Sequence, residues 1–112
     1  MNSLKNRVQL IGHLGGDPEI VQLKNNGKLA KFSLATNDYY KNNEGERVTQ
    51  TQWHSVVAWG KTAELVETLL VKGAEVAVEG KLMHRDYEDK EGNKKYVTEV
   101  QVSELLLLKK KE

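Results

Sequence analysis

The chain has 112 residues, with 17 Lys or Arg against 16 Asp or Glu and a formal net charge of +1, the length of a single domain; a balance this close to neutral neither supports nor excludes a polyanionic partner. The absence of cysteine excludes disulfide scaffolds, cysteine-ligated zinc and thiol chemistry. No apolar run exceeds four residues, far below the ~20 needed to cross a bilayer, and Met1–Asn6 lacks the apolar core of a secretion signal, so the expected compartment is the cytoplasm, with no membrane partner.

Residues 7–14 alternate, with Val8, Leu10 and Leu14 on one face and Arg7, Gln9 and His13 on the other, which predicts a strand. Gly15-Gly16-Asp17-Pro18 breaks it with turn chemistry, and Ile20–Leu23 continues it. Asn25-Asn26-Gly27 signals a hairpin. Residues 29–37 alternate again, placing Ala30, Phe32, Leu34 and Thr36 together. A polar loop is expected over 38–47, then a long strand over 48–59 rich in Thr, Val and Trp. Leu65, Val66, Leu69 and Leu70 recur at helical spacing and predict a helix over 61–72, closed by Gly73. Two further strands follow, 75–85 and 95–102, around a charged hairpin loop over 86–94. Long strands, one helix after the third and two extended hairpin loops describe an all-β fold: a five-stranded Greek-key barrel of the OB type, with one α-helix between strands 3 and 4. A half-open sandwich of the same strands is the alternative.

Catalytic signals are missing. His13, His54 and His84 show no metal-ligand spacing, and there is no phosphate-binding or nucleophile motif. Gly12-His13-Leu14-Gly15-Gly16 does not lead into a helix. Asp86, Glu88, Asp89 and Glu91 crowd a hairpin tip, where charge is ordinarily just solvated. No catalytic residue, metal or cofactor is expected.

The aromatics say more. Phe32 alternates with Ala30 and Leu34 and reads as core, and Tyr96 falls with Val100 and Val102 and reads the same way. Tyr39, Tyr40, Trp53, Trp59 and Tyr87 do not. Trp53 and Trp59 are six residues apart and therefore share a face of an extended strand. Aromatics on strands and hairpins of such a barrel suit base stacking, which is tolerant of sequence, with Arg7, Lys61, Lys72 and Arg85 placed to meet phosphates. The competing reading packs Trp53 and Trp59 against a barrel end or a second subunit, and for Trp59, beside Val56, Val57 and Ala58, pattern alone favours neither.

Over about residues 4–104 the chain resembles the bacterial-type single-stranded DNA-binding protein family. The blocks that carry this are Asn6–Gly15, Asp17-Pro18-Glu19, Phe32–Asn37, Thr51–Lys61, Leu69–Gly73, Val78–Leu82 and Tyr96–Val100, of which Trp53-His54-Ser55-Val56-Val57-Ala58-Trp59-Gly60-Lys61 is the most specific. The resemblance implies sequence-tolerant binding of single-stranded DNA during replication, recombination and repair, no enzymatic activity, and a homotetramer. It assigns stacking to Tyr40, Trp53, Trp59 and Tyr87, and a subunit contact to His54. The domain is expected to span 1–104, followed by a short segment, 105–112, that ends in lysines. Ser55, Met83 and Asp86 stand where the family often carries positive charge, so a weakly cationic track is expected. Replication and repair proteins are recruited in this family by an acidic tip, which Lys109-Lys110-Lys111-Glu112 does not supply. A primosome-type accessory module is the rival function.

Overall fold

A computed structural model describes residues 5–110. Six strands and one helix follow in order: β1 (Val8–Leu14), β2 (Glu19–Gln22), β3 (Lys28–Lys41), β4 (Arg47–Trp59), α1 (Lys61–Leu69), β5 (Glu75–Glu88) and β6 (Lys94–Lys109). The sheet order is β1-β5-β6-β4-β3-β2, and β1 also pairs with β3, closing a five-stranded barrel. The short β2 continues β1 along β3 after the Gly15–Pro18 break, as expected from the sequence: His13 and Leu14 pair with Ala35 and Leu34, and Glu19–Gln22 with Lys31–Lys28. A single 3-10 turn at Lys24–Asn26 joins β2 to β3.

Period-2 alternation sets what lies inside. Leu14, Ala30, Phe32, Leu34, Val56, Ala58, Val76, Val78, Val100 and Val102 fill the barrel, and Ala63, Val66 and Leu70 from α1 and its end plug it against β3, β4 and β6. The helix is shorter than its sequence pattern suggests. It ends at Leu69, Leu70 is already extended, and Gly73, at φ +87°, serves a turn closed by the Ala74 N–H donating to the Val71 carbonyl at 3.1 Å. The buried stripe is Ala63, Val66 and Leu70, whereas Leu65 and Leu69 are exposed on its flank.

Two loops expected from polar composition are mostly strand. β3 and β4 remain paired without interruption out to Lys41 and Arg47, and β5 and β6 out to Glu88 and Lys94. Each tip needs only five residues because each uses the same turn. Asn42 Oδ1 accepts from the Glu44 and Glu46 N–H groups, and Asp89 Oδ1 from those of Glu91 and Asn93, with Gly45 and Gly92 at φ +79° and +83°. A side-chain acceptor at the first position and a glycine at the left-handed one make a tight turn. The two hairpins therefore project as arms, and the molecule measures 56 × 38 × 35 Å.

β6 runs seven residues beyond its expected end at 102. The β5–β6 register breaks between Glu79 and Gly80, leaving Ser103 as an extra residue between the Glu104 and Val102 pairs. A bulge of this kind reverses the inward parity. Val100 and Val102 point in before it, and Leu105 and Leu107 pack on the core after it, while Leu106 and Leu108 are exposed.

Candidate functional site

The uninterrupted β3–β4 register determines which side chains share the outer face. Trp53 pairs with Ala35, Trp59 with Leu29 and Thr49 with Tyr39, all on the side away from the core residues Phe32, Leu34, Val56 and Ala58. Both indoles are therefore on one face, as the spacing predicts, and neither is buried: Trp53 is 61% exposed and Trp59 49%. Trp53 lies against Gly15, where a Cβ would come within 2.5 Å of the indole Cζ3, so the turn after β1 supports the ring from behind. An open groove of about 460 Å³ runs beside it, lined by Lys31, Ser33, Ser55, Val57 and Glu99.

β6 lies parallel to β4, with Ser55 beside Glu99, and carries this face on to β5. Tyr87, opposite Lys95, and Arg85, opposite Val97, share the parity of Glu99. Tyr87 is 49% exposed. The outer face thus joins Trp59, Trp53, Tyr39 and Tyr87 over four strands.

The structure corrects one reading of the aromatics and places another on a second face. Tyr96 is not core. Its parity matches Val100 as expected, but at that point β6 has left the barrel for the arm, and the ring is 76% exposed with the Lys94 ammonium 5.8 Å from its centroid. Tyr40, also exposed, lies opposite Val48 on the reverse face of its arm, whereas its neighbour Tyr39 shares the face of Trp53. Tyr39 carries the Arg47 guanidinium 4.4 Å from its ring centroid, within cation–π range. Tyr39 is one of the five aromatics that the sequence sets apart from the core, though without a stacking assignment, whereas Arg47 and Lys95 are absent from the sequence reading. The signal that finds them is strand parity counted outward from Trp53 through an arm that composition alone marks as loop.

The four expected phosphate contacts divide into two kinds. Lys61 follows Gly60 directly beside Trp59, and Lys72 sits in a turn whose backbone N–H donates to Asp17 Oδ1 at 2.8 Å, next to the Gly15 support. Neither has an ion-pair partner among the described residues. Arg7 is paired with Glu79 on the β1–β5 side of the barrel, and β1 and β5 each lie two strands from the β4 strand of Trp53. Arg85 donates from Nε to Glu99 Oε1 at 2.9 Å and from a terminal nitrogen to Oε2 at 3.3 Å, and also lies 5.8 Å from the Tyr87 centroid. The hydrogen bond to Glu99, then its charge, raise the guanidinium pKa further above an already high value.

His54 points into the barrel mouth by parity, and its ring Nε2 is 3.0 Å from the Thr36 hydroxyl. The imidazole thus has a polar partner within the chain. No cluster of three or more metal-ligating side chains occurs among the described residues, and no helix among them is long and apolar enough to cross a membrane.

Residues 5–108 match the Single-strand binding protein family. The chain is 43% identical over 108 residues to single-stranded DNA-binding protein 1 of Xylella fastidiosa, covering 96% of this chain and 79% of that protein. It is 41% identical over 104 residues to single-stranded DNA-binding protein 1 of Chlorobaculum tepidum, covering 92% of this chain and 64% of that one. The chain thus spans a little under two thirds of the Chlorobaculum protein. Among solved structures it superposes on the Plasmodium falciparum SSB in complex with ssDNA with a TM-score of 0.83 at 34% identity, covering 96% and 99% of the two chains. A deletion mutant of the single-stranded DNA binding protein from Thermus aquaticus matches with a TM-score of 0.79 at 30% identity, covering 93% of this chain and 50% of that one.

Proposed function

Because the chain belongs to the single-strand binding protein family, we propose that its outer face binds single-stranded DNA without strong sequence preference and protects it during replication, recombination and repair. The observation that carries this reading is the row of exposed rings on one continuous face, Trp59 and Trp53 on β4 with Tyr87 across β6 on β5. Every base offers a π-face, so rings at intervals hold a strand whatever its sequence, at roughly 1–3 kcal/mol per base. A duplex hides those faces within its stack. Lys61, Lys72, Arg47 and Lys95 border the rings and are placed to meet phosphates. Tyr40 offers a ring on the reverse of its arm to a strand that turns round it. The role is binding rather than catalysis, in the nucleoid-associated cytoplasm. The chain has two tryptophans, both in the site, so intrinsic fluorescence reads it directly. Oligo(dT) is expected to quench that emission strongly and duplex DNA of equal length hardly at all; equal quenching by both would remove the stacking reading.

The proposal extends to assembly as a homotetramer. β1 is paired with β5 over Val8–His13, but with β3 only at His13 and Leu14. Its other edge is open over Val8–Gly12, and an open edge invites pairing with another chain. Beside it lies an apolar groove of about 640 Å³ lined by Leu10, Ile11, Leu65, Leu105 and Leu106, with Ile11 and Leu106 each more than 60% exposed. Two copies joined edge to edge through β1 would cover both features, and two such pairs would complete the tetramer. Sedimentation at micromolar concentration is expected to give a tetramer, and His54→Tyr, which breaks the bond to Thr36 inside the β3–β4 pair, to shift it toward smaller species. A stable wild-type monomer would overturn the assembly.

A further inference from the structure

We propose that Glu99 competes with DNA phosphate for Arg85, so that the one arginine of the outer face that stands between the Trp53 groove and Tyr87 contributes no net charge to binding. This inference rests on the DNA-binding reading above.

Glu99 is the one buried charged residue among the described residues, 8% exposed. It lies on the outer face rather than in the core, on the floor of the groove beside Trp53. Its carboxylate takes two hydrogen bonds from Arg85 in the forked geometry that suits guanidinium and carboxylate. A phosphate would approach the same guanidinium with the same geometry. The contest is unequal, because Glu99 is tethered and largely desolvated, with its side chain 10% exposed against 50% for Arg85, so loss of the pair would leave a carboxylate that water hardly reaches. The neighbouring groups favour retention of the pair. Asp17 and Glu19 also line the groove, against a single cation, Lys31, so a carboxylate left alone there would meet further negative charge and the incoming strand.

A paired Arg85 releases no counterion from DNA. On single strands each phosphate neutralised contributes about −0.7 to the slope of log affinity against log salt. Glu99→Gln keeps the size of the side chain and an acceptor for Arg85 Nε while removing the competing charge. Its binding to oligo(dT) is expected to have a salt slope steeper by about 0.7, which is about fivefold tighter binding per tenfold dilution of salt, with the curves meeting near 1 M. The double variant Arg85→Gln/Glu99→Gln, which leaves no unpaired charge behind, is expected to retain the wild-type slope. An unchanged slope in Glu99→Gln overturns the proposal. So does a shallower slope in the double variant, which would mean that Arg85 already meets phosphate in the wild type, and the double variant decides the matter alone if Glu99→Gln does not fold. Failure of the wild type itself to bind oligo(dT) would instead remove the DNA-binding reading on which the proposal stands.

Discussion

Trp53→Ala is expected to weaken binding to oligo(dT) by roughly 1–3 kcal/mol, about 5- to 150-fold in affinity, while leaving the fold intact. The indole is 61% exposed, so its removal opens no cavity in the barrel. What is lost is a ring already set in place. Gly15 backs it so closely that a methyl group there would lie 2.5 Å from Cζ3. A ring held in its bound orientation before DNA arrives has little rotamer entropy left to lose. Gly15→Ala therefore serves as a companion test, since the indole must swing away and affinity is expected to fall in the same direction with the tryptophan still present. The check is titration by anisotropy of a labelled oligo(dT), with thermal melting of each variant alongside. Unchanged affinity in a Trp53→Ala protein that melts like wild type would remove Trp53 from the site.

The faces of the barrel were legible in the sequence wherever strands obey an unbroken period of two over a filled core. Val8, Leu10 and Leu14 in β1 and Ala30, Phe32 and Leu34 in β3 fall on the side that their spacing predicts, and Trp53 and Trp59 fall on the other. What escaped is what parity alone does not carry. Tyr96 has the parity of a core residue, but the sheet there has no second layer beneath it, and a sequence does not state where a hairpin leaves the body of a barrel. Leu105 and Leu107 turn inward only because Ser103 bulges; counted without interruption from Val102, they would face out. The arms look like loops in sequence because both of their faces are wet, so polar residues occupy both parities and the strand pattern disappears. The charge of the site was the least legible. Arg7 and Arg85 look like free cations in sequence, and each is committed to a glutamate, 72 residues away for Arg7 and 14 for Arg85. Those pairings exist only once β1, β5 and β6 are side by side.

Gly80→Ala is expected to be the more damaging change to stability. A Cβ at this position would lie 1.9 Å from the Gln101 carbonyl oxygen, 2.7 Å from its carbon and 3.0 Å from Val102 Cα. All three are backbone atoms, so no side-chain rotation relieves the clash and the strands themselves must part. Overpacking of a tight interior costs roughly 1–3 kcal/mol, and more where backbone must move, out of a total near 5–15 kcal/mol for a domain of this kind. The melting temperature is therefore expected to fall by roughly 5–15 °C. Gly16→Ala, where a Cβ would meet nothing within 4 Å, is expected to melt like wild type and controls for the loss of glycine as such. Gly80 lies at the register break through which β5 and β6 coil from the half that closes the barrel, Val76–Glu79 against Glu104–Leu107, into the arm that carries Arg85 and Tyr87. Strain at that joint should reach the site as well as the fold, so a Gly80→Ala protein below its melting point is expected to bind oligo(dT) more weakly although no atom of Gly80 lies on the outer face. Wild-type melting of Gly80→Ala would mean that the strands are not locked together at this bulge.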